Sequence, residues 1–83
     1  MDLSYDEAVN MCIKQINSPL LACERRANVN THKPINYMFK IKLAQSVNAE
    51  NLMKEVLEYG QHKKCEVEFS RSLVPGLIIV RLS

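Results

Sequence analysis

The side chains in this 83-residue chain that could carry catalysis or hold a metal are His32, His62, Cys12, Cys23, Cys65 and the pair Glu66 and Glu68. Neither histidine has a Cys, Asp or Glu partner at zinc-ligand spacing, and no two cysteines form a C-x-x-C pair. His62 and Cys65 are close enough in sequence for a nucleophile–base pair, but nothing beside them would orient the imidazole; both histidines are therefore read as solvent-exposed loop residues. Glu66 and Glu68 have the spacing of paired carboxylates, and a solvated, salt-bridged ladder has the same spacing without acid–base work. Gly60 and Gly76 are the only glycines, so no glycine-rich loop exists to cradle a phosphate. The sequence therefore predicts no catalytic residue, no metal and no cofactor, and a protein that is not an enzyme.

Charge is the second kind of chemistry. Before Arg25, Lys14 is outnumbered by Asp2, Asp6, Glu7 and Glu24, whereas the segment 25–49 holds Arg25, Arg26, Lys33, Lys40 and Lys42 and no acid. An acid-free solvated surface is one reading. The other is a patch for phosphate, on nucleic acid or anionic lipid.

These side chains must be placed by local structure. Ser4 and Glu7 have capping-box spacing and open a helix that ends near Asn17. Tyr5, Ala8, Val9, Cys12, Ile13 and Ile16 share one side of it. Ser18 and Pro19 restart helix, to about Ala27; a single long helix kinked at Pro19 is the alternative. Asn, Thr and Pro in 28–36 predict the longest loop. Residues 37–44 alternate as a half-buried strand, with Phe39, Ile41 and Leu43 on one face and Met38, Lys40 and Lys42 on the other. Asn48 caps a helix over 48–59, with Gly60 as its stop and Leu52, Met53, Val56, Leu57 and Tyr59 inside. Glu50 and Lys54 make an i,i+4 pair on its outside. A second strand spans 65–70, with Cys65, Val67 and Phe69 opposed to Glu66 and Glu68. If the first two strands are neighbours, Lys40 and Lys42 face those glutamates. Val74, Pro75 and Gly76 mark a hairpin turn. The last strand, 77–82, is apolar on both faces until Arg81, the pattern of a central or doubly covered strand. Its outer residues Leu77 and Ile79 then need a cover.

Length and a composition of 47% hydrophobic and 24% charged residues predict one globular domain over 1–83, with a helical segment 4–27 and a β-α-β-β unit 37–82. No apolar run approaches the roughly 20 residues of a membrane span. An acidic, polar N-terminus unlike a signal peptide predicts a cytoplasmic or nuclear location. The odd set of cysteines is read as reduced. The β-α-β-β order resembles type I KH-like modules but lacks their G-x-x-G clamp, and Tyr37 and Phe39 do not make the aromatic pattern of an RRM.

Phe39-Lys40-Ile41-Lys42, then Gln45-Ser46-Val47-Asn48-Ala49-Glu50-Asn51-Leu52-Met53-Lys54-Glu55-Val56-Leu57, then Cys65-Glu66-Val67-Glu68 resembles the opening half of a known domain. That domain is the C-terminal kinase-associated domain of the microtubule-affinity-regulating and related AMPK-family kinases. There too an aromatic-led strand passes through a Ser-containing corner into a helix with Leu-Met, and a cysteine starts the next strand. The resemblance covers about half the chain. It implies a TBP-like sheet-and-helix module whose work is docking on anionic lipid or a protein partner, or autoinhibition. It carries Lys63, Lys64 and Arg71 over as basic loop positions.

The expected fold is α+β: a three-stranded antiparallel or mixed sheet packed by the N-terminal helical segment and one amphipathic helix. The expected function is an interaction module, docking a protein partner or a second copy over Leu77 and Ile79 or along a sheet edge. The alternative is a phosphate-directed binder of nucleic acid or anionic lipid using Arg25, Arg26, Lys33, Lys63, Lys64 and Arg71.

Overall fold

A computed structural model describes residues 2–31 and 37–83, with backbone alone for 25 and 27–31. Helix α1 (Tyr5–Ile16) begins where the sequence said it would. The Glu7 amide donates to the Ser4 hydroxyl at 3.3 Å, and the Ser4 amide donates to Glu7 Oε1 at 3.0 Å. The Ser4 amide first, and then the Ser4 hydroxyl, stabilise the Glu7 carboxylate and hold that carboxyl below its usual range. Ala8, Val9, Cys12 and Ile16 of α1 are buried. Helix α2 (Pro19–Thr31) opens with the Leu20 amide on the Ser18 hydroxyl at 3.2 Å. It runs beyond the expected end at Ala27, so 28–31 are helical rather than loop; no Gly or Pro interrupts the segment before Pro34. Only Leu21 anchors its first turns in the core, while Leu20 remains 68% exposed.

Strand β1 (Tyr37–Lys42) leads into helix α3 (Ala49–His62), where the Asn48 side chain accepts from the Asn51 amide at 3.1 Å. Gly60 does not stop this helix. It lies buried inside the last turn, where a Cβ would sit 2.7 Å from Val67 Cγ2 and 3.0 Å from the Cys65 carbonyl oxygen. Glycine is there for close approach to the sheet. The helix ends two residues later, where Lys64 takes a φ of 55° and the Cys65 amide returns to the Gly60 carbonyl at 2.8 Å.

Strands β2 (Val67–Arg71) and β3 (Leu77–Leu82) complete a sheet of order β1-β3-β2, antiparallel throughout. The central place of β3 follows from its apolarity on both faces. That order corrects the expected charge ladder. Strand β3 separates the first strand from the second, so Lys40 pairs with Ile79 and Lys42 with Leu77, and neither meets Glu66 or Glu68. Lys42 instead forms an ion pair with Asp2 at 3.7 Å.

Register puts Tyr37, Phe39, Ile41, Ile78, Val80, Leu82, Val67 and Phe69 on the inner face. Ile41, Ile78, Val80 and Leu82 there pack with Ala8, Cys12, Leu21, Leu52 and Val56 in one core. Leu57, expected inside, is 39% exposed because it lies on the flank of α3 away from α1.

Candidate interaction surfaces of the sheet

The outer face is built in cross-strand rows. Met38, Arg81 and Glu68 make one row, Lys40, Ile79 and Ser70 the next, and Lys42 with Leu77 the last. None of these residues belongs to the core or packs against it. Leu77 and Ile79 are half-buried, and Met38 is 50% exposed. Arg81 Nη2, on β3, reaches Met38 Sδ on the neighbouring β1 at 3.6 Å. Met38, Glu68, Ser70, Ile79 and Arg81 line a shallow depression of about 250 Å³. The face thus has an apolar centre rimmed by Lys40 and Lys42 on one side and Glu68 on the other.

The two edges differ. In antiparallel pairing, alternate residues aim both backbone groups at the neighbour and the others aim them away. The Leu43 amide donates to the Gly76 carbonyl at 2.8 Å, so Met38, Lys40 and Lys42 aim theirs outward from β1. Leu3 takes up one end of that edge: its amide donates to the Lys42 carbonyl and its carbonyl accepts from the Ala44 amide, both at 2.8 Å. On β2, Glu66 and Ser83 exchange backbone bonds at 3.0 Å, and the Ser72 amide donates to the Leu77 carbonyl at 3.1 Å. By alternation, Val67, Phe69 and Arg71 aim their N–H and C=O groups away from β3. Among the described residues no backbone group pairs with them.

A cleft of about 620 Å³ lies at the hairpin end, between Leu43, Val47 and Ala49 on one wall and Val74, Pro75 and Leu77 on the other, with Arg71 and Lys42 at its margin. Gly76 closes it with a φ of 80°, and a Cβ there would sit 2.8 Å from the Leu43 carbonyl oxygen. Leu73, at the hairpin tip, is fully exposed.

The proposed phosphate residues are not brought together. Lys63 and Lys64 follow α3, with Lys63 Nζ 5.9 Å from the Tyr59 ring centroid. Arg71 ends β2 beside the hairpin, a strand length away, on the order of 13 Å. Arg26 stands on α2, where Nη2 meets Cys23 Sγ at 3.1 Å. The Arg25 side chain and Lys33 lie outside the described residues, as does His32.

Cys12 and Cys65 are buried, Cys23 is exposed, and all are free thiols. Burial pushes the Cys12 thiol up to about 11. Cys65 donates to the Glu66 carbonyl at 3.6 Å, and His62 is exposed. Among the described residues no group of three His, Cys, Asp or Glu could hold a metal ion.

No described helix is long and apolar enough to cross a membrane. No family model matches the chain, and no curated protein or solved structure matches it either.

Proposed function

We propose that this chain is a non-enzymatic docking module that receives a protein partner on the outer face of its sheet. The observation that carries the reading is the exclusion from the core of Leu77 and Ile79, on the outer face of the central strand, and of Met38 on β1 beside it. A surface built from β3 as its axis is rigid, because the same strand is anchored on its inner side by Ile78, Val80 and Leu82. A partner would bury the apolar centre and meet lysines on one rim and a carboxylate on the other. The resemblance to the kinase-associated domain points the same way, toward docking or autoinhibition rather than catalysis.

The phosphate-directed reading has less support. Its described residues stand at opposite ends of β2 and on α2, so they present no single concentration of charge.

The test is the double substitution Leu77→Lys, Ile79→Lys, with Leu20→Lys as a control at an equally apolar but separate exposed site. The reading expects the double variant to keep its fold and lose association with its partner, and the control to lose nothing. Association unchanged in the double variant would overturn it.

A further inference from the structure

We infer that the free edge of β2 pairs with the same edge of a second copy of this chain, joining two three-stranded sheets into one continuous sheet about a two-fold axis at Phe69. The edge is self-complementary in one register. With Phe69 opposite Phe69 of the second copy, Val67 lies opposite Arg71, and each of these residues exchanges both outward backbone groups with its counterpart. The outward-facing groups of β2 are then all bonded.

Side-chain charge selects the same register. Outside the axis, Glu66 and Glu68 precede Phe69 and Ser70 and Ser72 follow it, at matching distances. A two-fold axis at Phe69 sets each carboxylate against a serine hydroxyl of the second copy, Glu68 against Ser70 and Glu66 against Ser72. These are the closer, non-hydrogen-bonded pairs of the ladder, with Cα atoms roughly 4.5 Å apart, within reach of an O–H donated to a carboxylate. The Ser72 oxygen already accepts from the Val74 amide at 3.3 Å, which leaves its proton to donate. Sliding the pairing by two residues one way sets Glu68 against its own copy. Sliding it the other way carries Val67 past the end of the facing strand.

The helix above this edge supplies a second contact. Glu55 accepts from the Tyr5 hydroxyl at 3.0 Å and the Tyr59 hydroxyl accepts from Asn17 at 2.7 Å, so that flank of α3 faces α1. Leu52, Val56 and Gly60 face the sheet. At 3.6 residues per turn, Met53 and Leu57 occupy the remaining flank, over the β2 edge. Leu57 is 39% exposed there. The same two-fold axis brings the two α3 helices side by side, antiparallel, through Met53 and Leu57. Self-pairing does not use Leu77 or Ile79, so it and the outer-face reading stand or fall separately.

The test is sedimentation equilibrium of the purified chain with hydrogen exchange at the Phe69 amide. Wild type is expected at twice the chain mass of 9.5 kDa, with Phe69 protected from exchange. Ser70→Glu sets carboxylate against carboxylate and is expected to weaken association at least tenfold. Adding Glu68→Gln to it is expected to restore most of the loss, and Ile79→Lys is expected to change nothing. A wild type that stays at the monomer mass at a few hundred micromolar overturns the pairing and leaves the outer-face reading untouched. A dimer that survives Ser70→Glu, or that Ile79→Lys dissociates, also overturns it.

Discussion

Alternate residues of β3 meet two different surroundings. Ile78, Val80 and Leu82 are at most 2% exposed, packed in one core with residues of all three helices, whereas Leu77 and Ile79 one residue away are half-buried and lie outside that core. Leu77 and Ile79 are as apolar as Ile78, Val80 and Leu82, with Arg81 the charged exception on the outer side of β3; what differs for the aliphatic residues is what has been laid over them. An apolar residue buried inside holds the fold, and one left outside is available to something else. This difference separates the half of the sheet that packs the core from the half proposed for docking.

The comparison breaks first under truncation. Leu82→Ala is expected to cost about 2–5 kcal/mol by chemical denaturation, because a fully buried side chain leaves a cavity. Ile79→Ala is expected to cost less than about 1.5 kcal/mol in the monomer. Equal losses would mean that the outer face is packed within a single chain.

Next in size is a pH effect confined to the inner side. The Cys12 thiol titrates at about 11 in the folded protein against 9.0 without burial. The folded state therefore holds this proton more tightly. Its contribution is fully present below pH 9 and is lost as pH rises through about 11, by on the order of a few kcal/mol. Cys12→Ala abolishes this component, so the stability gap between wild type and variant should narrow between pH 9 and 11. A constant gap would contradict the assignment.

Gly60 tests how tightly α3 is laid on the sheet. Alanine should gain about 1 kcal/mol of helix propensity, yet its Cβ meets Val67 at 2.7 Å and the Cys65 carbonyl at 3.0 Å. A net loss of about 1–2 kcal/mol is expected, with partial recovery when Val67→Ala is added. A stabilised Gly60→Ala would show that α3 can lift from β2.

The smallest effect is at the surface. Ser4→Ala should cost about 1 kcal/mol by uncapping α1. Because Glu7 has a lowered carboxyl pKa, its share of the cap is present above its unfolded pKa near 4.5 and is lost as pH falls below it. Thermal melts of wild type and Glu7→Gln should therefore converge as pH falls below about 4.

Much of this was legible in the residues. Ser4 and Glu7 announced the capping box, Asn48 the start of α3, and two-sided apolarity the limits and central place of β3. Gly60 misled, because a glycine that ends a helix and one that admits a neighbouring strand look alike until the strand is placed. The Lys40 and Lys42 ladder to Glu66 and Glu68 failed for the same reason: alternation fixes faces but not which strand lies beside which. The free edge of β2 was invisible as well, since the direction of a backbone amide depends on its hydrogen-bonding partner and not on its side chain. Leu77 and Ile79 were singled out from sequence and lie on the outer face, half-buried. The basic positions that can be described are dispersed, because a run of charge in sequence carries no information about where helices and turns will point it.

Site-specific photo-cross-linking in the cell of origin tests the outer-face claim most directly. A cross-linking amino acid replaces Lys40, in the outer-face row of Ile79, or Glu58, exposed on the side of α3 away from the sheet. A discrete adduct from position 40 that disappears with Leu77→Lys, Ile79→Lys, and none from position 58, is the result expected of a docking face. Adducts from position 58 alone, or an adduct from position 40 that survives the double substitution, would contradict it.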